Sequence, residues 1–248
     1  MDADTKIGGG SGRFPETRIS AIALAQSPDE RERRQAHGAI IEAYWKPVYK
    51  YLRLRRNLNN ESAKDLTQGF FALAIEKRFF DTYDPGKGTF RTYLRTCVDA
   101  FVSNEQKRAG RMKRGGGVAL LSLDFKSAEG EILHYDVARN ATVDEFFHQE
   151  WVRSVFGLAI QDLQTVCAAR GKDLAFHLFQ RYDLAEQDRR PTYAELAQEF
   201  GITTVTLTNY MAAARREFRK AVLNKIRELT VDEREFRLEA RAVLGIEV

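Results

Sequence analysis

The chain has 248 residues, enough for one large or two small domains, and its 39 Lys and Arg against 35 Asp and Glu leave a net charge of +4, too small by itself to prove a polyanionic partner. No apolar run approaches the ~18 residues that span a membrane and no charged-then-apolar signal segment opens the sequence, so a cytoplasmic protein with no membrane partner is expected. Cys97 and Cys167 are far apart and lack Cys-x-x-Cys or nearby His spacing, so the sequence indicates neither a disulfide framework nor a metal site.

Five prolines, an absence of alternating apolar runs and many segments of helical period predict an all-α protein of two helical domains joined by a long acidic linker. Charge is unevenly spread. Residues 84–114 hold eight basic and three acidic side chains, 203–227 six and one, and 120–150 two and seven.

Residues 1–13, with GGGSG near their end, read as a flexible tail. A helix is predicted over about 15–26. A second starts at Ser27-Pro28-Asp29-Glu30, where Ser27 can cap and Pro28 takes a first helical position. Its stripe holds Ala36, Ile40, Ala43, Tyr44, Val48, Tyr51 and Leu52, and Pro47 inside it predicts a kink or break near Trp45. Asn60 or Ser62 caps a third helix to about Phe79, with Leu66, Phe70 and Leu73 on one face. Asp65, Thr67 and Gln68 then form an exposed polar patch on the other.

The turn at 84–89 contains GKGT but lacks the earlier glycine and the Ser or Thr directly after Lys that a phosphate-binding loop needs. From Thr89 a fourth helix is predicted to about Arg114, with Phe90, Leu94, Cys97 and Phe101 as its buried stripe. Tyr93 lies off that stripe, and Arg91, Arg95, Asn104 and Arg108 present basic and amide groups beside it. Aromatic rings among cations suit single-stranded nucleic acid, since rings stack on unpaired bases and cations follow the backbone. The same pattern fits a core stripe with a solvated face.

Residues 120–150 read as a largely irregular linker, acceptable between domains. Helices over about 143–170, through Phe147, Trp151, Val155, Leu158, Ile160 and Leu163, and over 174–182, with Leu178 and Phe179, complete a second core. His148 and His177 have no ligand-spaced neighbours. Residues 191–223 then read as a helix-turn-helix. Thr192 and Glu195 have capping-box spacing, Gly201 can take the left-handed conformation that ends a helix, and Thr203 can cap a second helix. Leu207, Met211, Ala214 and Phe218 recur there as one buried face. That leaves Thr204, Thr206, Thr208 and Asn209 exposed to read base edges, with Arg215, Arg216 and Arg219 for phosphates. An ordinary helical hairpin with a basic face fits the same spacing. After Arg227, six acidic and three basic residues form an amphipathic C-terminal helix.

DLTQGFF at 65–71, GTFRTYLRTCVDAFVSNEQKR at 88–108 and TYAELAQEFGI at 192–202 occur in the order and rough spacing of a bacterial RNA polymerase sigma factor. The chain resembles the extracytoplasmic-function branch of the sigma-70 family. FPETRIS at 14–20, RGGG at 114–117, LSLD at 121–124 and TVDEFFHQEWV at 142–152 resemble a subgroup with a long linker. The resemblance implies a region 2-like domain over 14–114, a linker over 115–142, a region 4-like domain over 143–227 and a helical tail over 228–248.

By the same resemblance, Asp65, Thr67 and Gln68 contact the clamp helices of core RNA polymerase. Phe90, Arg91, Tyr93, Arg95, Asn104 and Arg108 hold the melted minus-ten-type element, and the helix-turn-helix reads the minus-thirty-five-type element. The implied partners are core polymerase through clamp helices and flap, promoter DNA, and an anti-sigma protein; no cofactor is implied. Thr208 and Ala213 stand where relatives often carry Lys or Arg, which implies weaker phosphate contacts. No catalytic Ser/His/Asp, Cys/His or paired-carboxylate arrangement has sequence support, so an enzyme is not expected. A helix-turn-helix regulator acting without polymerase and a sigma-like decoy for protein interaction are the alternatives.

Overall fold

The computed structural model describes residues 20–109, 123–133 and 142–245, and among these every regular element is helical. The helices are α1 (Ala21–Leu24), α2 (Glu30–Leu54), α3 (Asn60–Glu76), α4 (Phe90–Ala109), α5 (Phe125–Leu133), α6 (Val143–Ala169), α7 (Asp173–Asp183), α8 (Tyr193–Glu199), α9 (Thr204–Glu228) and α10 (Glu233–Leu244). None of them is long and apolar enough to cross a membrane. The expected tail over 1–13 lies outside the described residues, as do 15–19 of the first expected helix.

Short polar side chains start most of these helices, because the first amides of a helix have no partner within it. Asp29, rather than Ser27, caps α2 by accepting from the Arg31 amide. Asn59, one residue before the expected cap, accepts from Ser62 to start α3. Thr142 with Glu145 and Thr192 with Glu195 form capping boxes at α6 and α8. The helix α2 runs unbroken through Pro47, where a kink or break was expected. Tyr44, Trp45, Val48 and Tyr49 are buried on either side of the proline, and their packing holds the chain helical there.

The core is built on α2. Tyr44 stacks on Trp151 of α6 at 6.3 Å between ring centroids, and Tyr51 meets Phe147 edge-on at 6.0 Å. One hydrophobic cluster therefore runs across residue 143 and takes in Phe70 and Phe71 of α3, Phe90 and Leu94 of α4, Val222 and Ile226 of α9, and Phe236 and Ala240 of α10. The second half of α6 carries Leu163 and Cys167 into a smaller cluster with Phe176, Phe179 and Ala214. A third cluster joins Leu178, Leu196, Ala197, Leu207 and Met211 under the α8–α9 turn.

The linker expected over 115–142 is not irregular where it is described: residues 125–133 form α5. Composition suggested a solvated segment, but Phe125 inserts between Trp45 and Tyr49 at centroid distances of 5.4 and 5.1 Å. Its acids find cations on α2. Glu129 pairs with Arg53 and accepts from the Tyr49 hydroxyl, and Glu131 pairs with Lys46 and Lys50. Truncating a buried Phe to Ala costs about 3–5 kcal/mol in a rigid core. For Phe125→Ala the expected outcome is detachment of α5, seen as faster proteolytic cleavage within residues 123–133 while the helical circular dichroism of the rest is kept.

Candidate nucleic-acid interface

The helices α8 and α9 are joined by a short turn and share a small apolar cluster. Glu195 accepts from the Thr192 amide at 2.7 Å while the Thr192 hydroxyl accepts from the Glu195 amide at 3.2 Å. Gly201 then takes φ +64°, a conformation strained for residues with a Cβ, and the Thr203 hydroxyl accepts from the Thr206 amide to start α9.

With Leu207, Met211 and Ala214 buried, helical spacing turns Val205, Asn209 and Arg216 to the opposite face with Thr208 and Arg219 at its edge, and Thr204, at the start of the helix, is exposed as well. Arg216 and Arg219 pair with no carboxylate among the described residues. Thr206 is half-buried, with its hydroxyl 2.9 Å from that of Thr203, and the Thr208 hydroxyl donates back to the Thr204 carbonyl at 2.8 Å. Val205, 70% exposed, is an apolar addition to the face that polar spacing did not single out.

Arg215 departs from its expected role. Its guanidinium forks onto Asp183 of α7 through two 2.8 Å bonds and lies 5.7 Å from the Tyr182 ring. Paired so, Arg215 ties α9 to α7, and the bond to Asp183 raises its pKa above the usual arginine range.

On α4 the expected strand contacts turn largely inward. Phe90 is fully buried against Tyr44, Tyr83 and Phe80, with centroids 5.6, 5.2 and 5.9 Å away, so it cannot face an unstacked base. The half-buried Tyr93 donates its hydroxyl to the Phe79 carbonyl at 2.6 Å and lies 2.7 Å from the Thr82 hydroxyl; burial pushes its pKa up to about 12. Arg95 pairs with Asp99 one turn on and with Asp144 at the start of α6, both at 2.7 Å. Asp99 also accepts from the Tyr51 hydroxyl and pairs with Arg56. Asn104 is exposed as expected, and the Arg108 side chain lies outside the described residues.

Arg91 reaches both oxygens of Glu239 on α10, at 3.1 and 3.3 Å, and its guanidinium lies 5.5 Å from the Trp151 ring. Beside it Glu235 accepts from the Phe90 amide at 2.6 Å, the Tyr83 hydroxyl at 3.0 Å and, through its other oxygen, the Val231 amide at 2.8 Å. Both carboxylates are buried, and burial raises the pKa of Glu239 despite the opposing pull of Arg91. The amphipathic pattern of α10 was legible in the sequence, but its buried face was expected to be apolar.

The exposed side of α4 is instead a stripe of Thr92, Thr96, Ala100, Ser103 and Lys107. These residues lie opposite the buried Phe90, Leu94, Val98 and Phe101. The spacing alone could have found them. Residue type drew attention to the arginines, which stand at the border of the buried stripe.

On α3, Asp65 is exposed and Gln68 half-buried, but Thr67 is fully buried and its hydroxyl donates to the Ala63 carbonyl at 2.7 Å. Thr67 therefore leaves the expected polar patch, because Ala63, Thr67, Phe70 and Ala74 share the face that meets the core. Among the described residues no three His, Cys, Asp or Glu side chains gather in a metal-binding arrangement.

His148 packs beside Trp151, and its pKa is pushed down to about 4, first by burial and then by the charge of Arg91. Between about pH 6.5 and 4 the unfolded chain therefore binds a proton that the folded one refuses, so stability falls as the pH falls through that window. The urea midpoint is expected to drop from pH 7 to pH 4.5, and by less in His148→Gln.

No protein family matches the sequence, and neither a curated protein nor a solved structure matches the chain.

Proposed function

We propose that the chain is a sigma-type transcription initiation factor, acting in the cytoplasm without catalysis of its own, that binds core RNA polymerase and directs it to promoter DNA. One observation carries the nucleic-acid part: Thr204, Thr208, Asn209, Arg216 and Arg219 are exposed on α9, which reads as the second helix of a helix-turn-helix. In such motifs the N-terminal residues of the second helix meet base edges in the major groove and cations neutralise phosphate. The polymerase part is supported by the three ordered motifs and by Asp65 and Gln68 on the outer side of α3. On this reading residues 14–114 and 143–227 serve the two promoter elements.

The Thr92, Thr96, Ser103 and Lys107 stripe with Asn104 replaces the inward arginines as the surface α4 offers to unpaired DNA. Those arginines being paired favours a second reading, a regulator that binds duplex DNA through α9 without polymerase.

Pull-down with bacterial core RNA polymerase and run-off transcription on genomic fragments separates the two. Binding with discrete start sites is expected; binding without transcription marks a decoy, and absence of binding leaves the duplex-binding regulator. Asp65→Ala with Gln68→Ala should lose polymerase in this assay and keep the helical circular dichroism. Arg216→Ala with Arg219→Ala should weaken duplex binding at all sequences alike and flatten the slope of log K against log salt by about 1.8, two phosphates at ~0.9 each. Loss confined to one base position would overturn their assignment to phosphate.

A further inference from the structure

The two carboxylates of α10 are placed where an anion would be held if α10 were absent. Glu235 and Glu239 stand one turn apart on its buried face and point at α4, one at the Phe90 amide and the Tyr83 hydroxyl, the other at Arg91. Burying a carboxylate is costly, and an apolar side chain of similar size commonly holds two helices together at least as well. Phe236 and Ala240, the neighbours of this pair, show that α10 has apolar anchors in the same interface. Acids at 235 and 239 therefore make the attachment exchangeable for another anion, at a cost in stability.

The pairing at Arg91 is also incomplete. Glu239 sets both oxygens on one nitrogen, Nη2, and the buried Nε has no hydrogen-bond partner. A guanidinium in its preferred fork gives two nitrogens to two oxygens, and a phosphate suits that geometry. Arg91 adjoins Thr92, where the exposed stripe of α4 begins. Lifting α10 would thus extend that stripe by one cation and by the Phe90 amide that Glu235 holds.

We propose that α10 is an autoinhibitory clasp: docked, it occupies Arg91 and the start of α4 with Glu239 and Glu235, and the backbone phosphate of single-stranded DNA takes their place when α10 lifts. The proposal rests on the role assigned above to α4 in holding unpaired promoter DNA. The helix α10 meets α9 near its C-terminal end, where Arg227 pairs with Glu233, away from Arg216 and Arg219, so duplex binding through those two is independent of the clasp.

The test uses the full chain and fluorescence anisotropy with a fluorescein-labelled random single-stranded DNA and, separately, a labelled duplex. Glu239→Gln keeps the shape of the side chain and removes its charge. It should bind the single strand about tenfold more tightly than the parent chain, the scale of one charge-assisted contact, with duplex affinity unchanged. Adding Arg91→Ala should cancel the gain. A chain ending at Thr230 should show the same gain; since its loss of Phe236 can unfold it, the Gln variant decides.

A folded Glu239→Gln protein that binds single-stranded DNA no more tightly than the parent overturns the clasp, whatever the polymerase pull-down gives. A gain reversed by Arg91→Ala supports it, and does so even where polymerase fails to bind, an outcome that sinks the sigma-type reading alone.

Discussion

A lysine taken out of water must be given carboxylates, and Lys50, only 2% exposed in the middle of α2, receives two. Glu150 of α6 stands 2.8 Å from its ammonium and Glu131 of α5 2.6 Å. The pair with Glu150 has both side chains almost fully buried, so moving either away leaves a charge poorly matched in a site closed to water. This requirement fixes where α6 and α5 sit against α2. Around it the rings of Tyr44, Tyr49, Tyr51, Phe125, Phe147 and Trp151 close the core. Such a network contributes little net stability against an apolar alternative, but it penalises every arrangement in which α6 slips along α2.

The same logic is repeated at α4 with a different balance. Arg91 is met by the buried Glu239, while Arg95 and Arg56 meet Asp99 and Asp144 in sites only partly closed to water. Pairs of this kind are screened and contribute less than buried ones. Among the described basic residues of 84–114, those near the start of α4 are thus consumed internally, while Lys107 is exposed. On α9 the division falls between neighbours: Arg215 is tied to Asp183, and Arg216 and Arg219 stay open to solvent. Net charge concealed this allocation, since a cation counts the same whether or not it has a partner.

Helical period, caps and glycine gave the all-α class and nearly every helix, because those signals act within a turn or two of chain. Thr192, Gly201 and Thr203 behave as their local chemistry requires. What could not be read was which partner a side chain finds across the fold. Phe125 lies in a polar stretch, and nothing local says that Trp45 and Tyr49 leave a slot for it. Thr67 was placed by type on the polar side, although its spacing from Ala63, Phe70 and Ala74 puts it in the core. Phe90 was assigned to DNA by the resemblance, although helical spacing already put it in the buried stripe, and the basic pattern that suggested Arg91 is produced equally well by a closed interface with α10. For α9, where the exposed face needs no distant partner, Thr204, Thr208, Asn209, Arg216 and Arg219 are exposed as the sequence led one to expect.

On the proposed reading, a docked α10 means that the single-strand site of α4 is available only in the fraction of molecules where the clasp is open, and apparent affinity is divided by that fraction. A clasp worth about 2.7 kcal/mol leaves roughly 1% open and weakens single-strand binding about a hundredfold. A partner relieves this only if it binds the open form better, however tightly it holds the chain otherwise. Polymerase contacting Asp65 and Gln68 would act on α3, which meets α4 where Phe70 packs edge-on against Phe101 at 5.8 Å. The path from α3 to the clasp is therefore α4 itself, a rigid helix whose Phe101 end meets α3 and whose Phe90 end is held by Glu235. A tilt of α4 produced at Phe101 would be felt at the Phe90 amide, where a hydrogen bond of 2.6 Å leaves little room to follow.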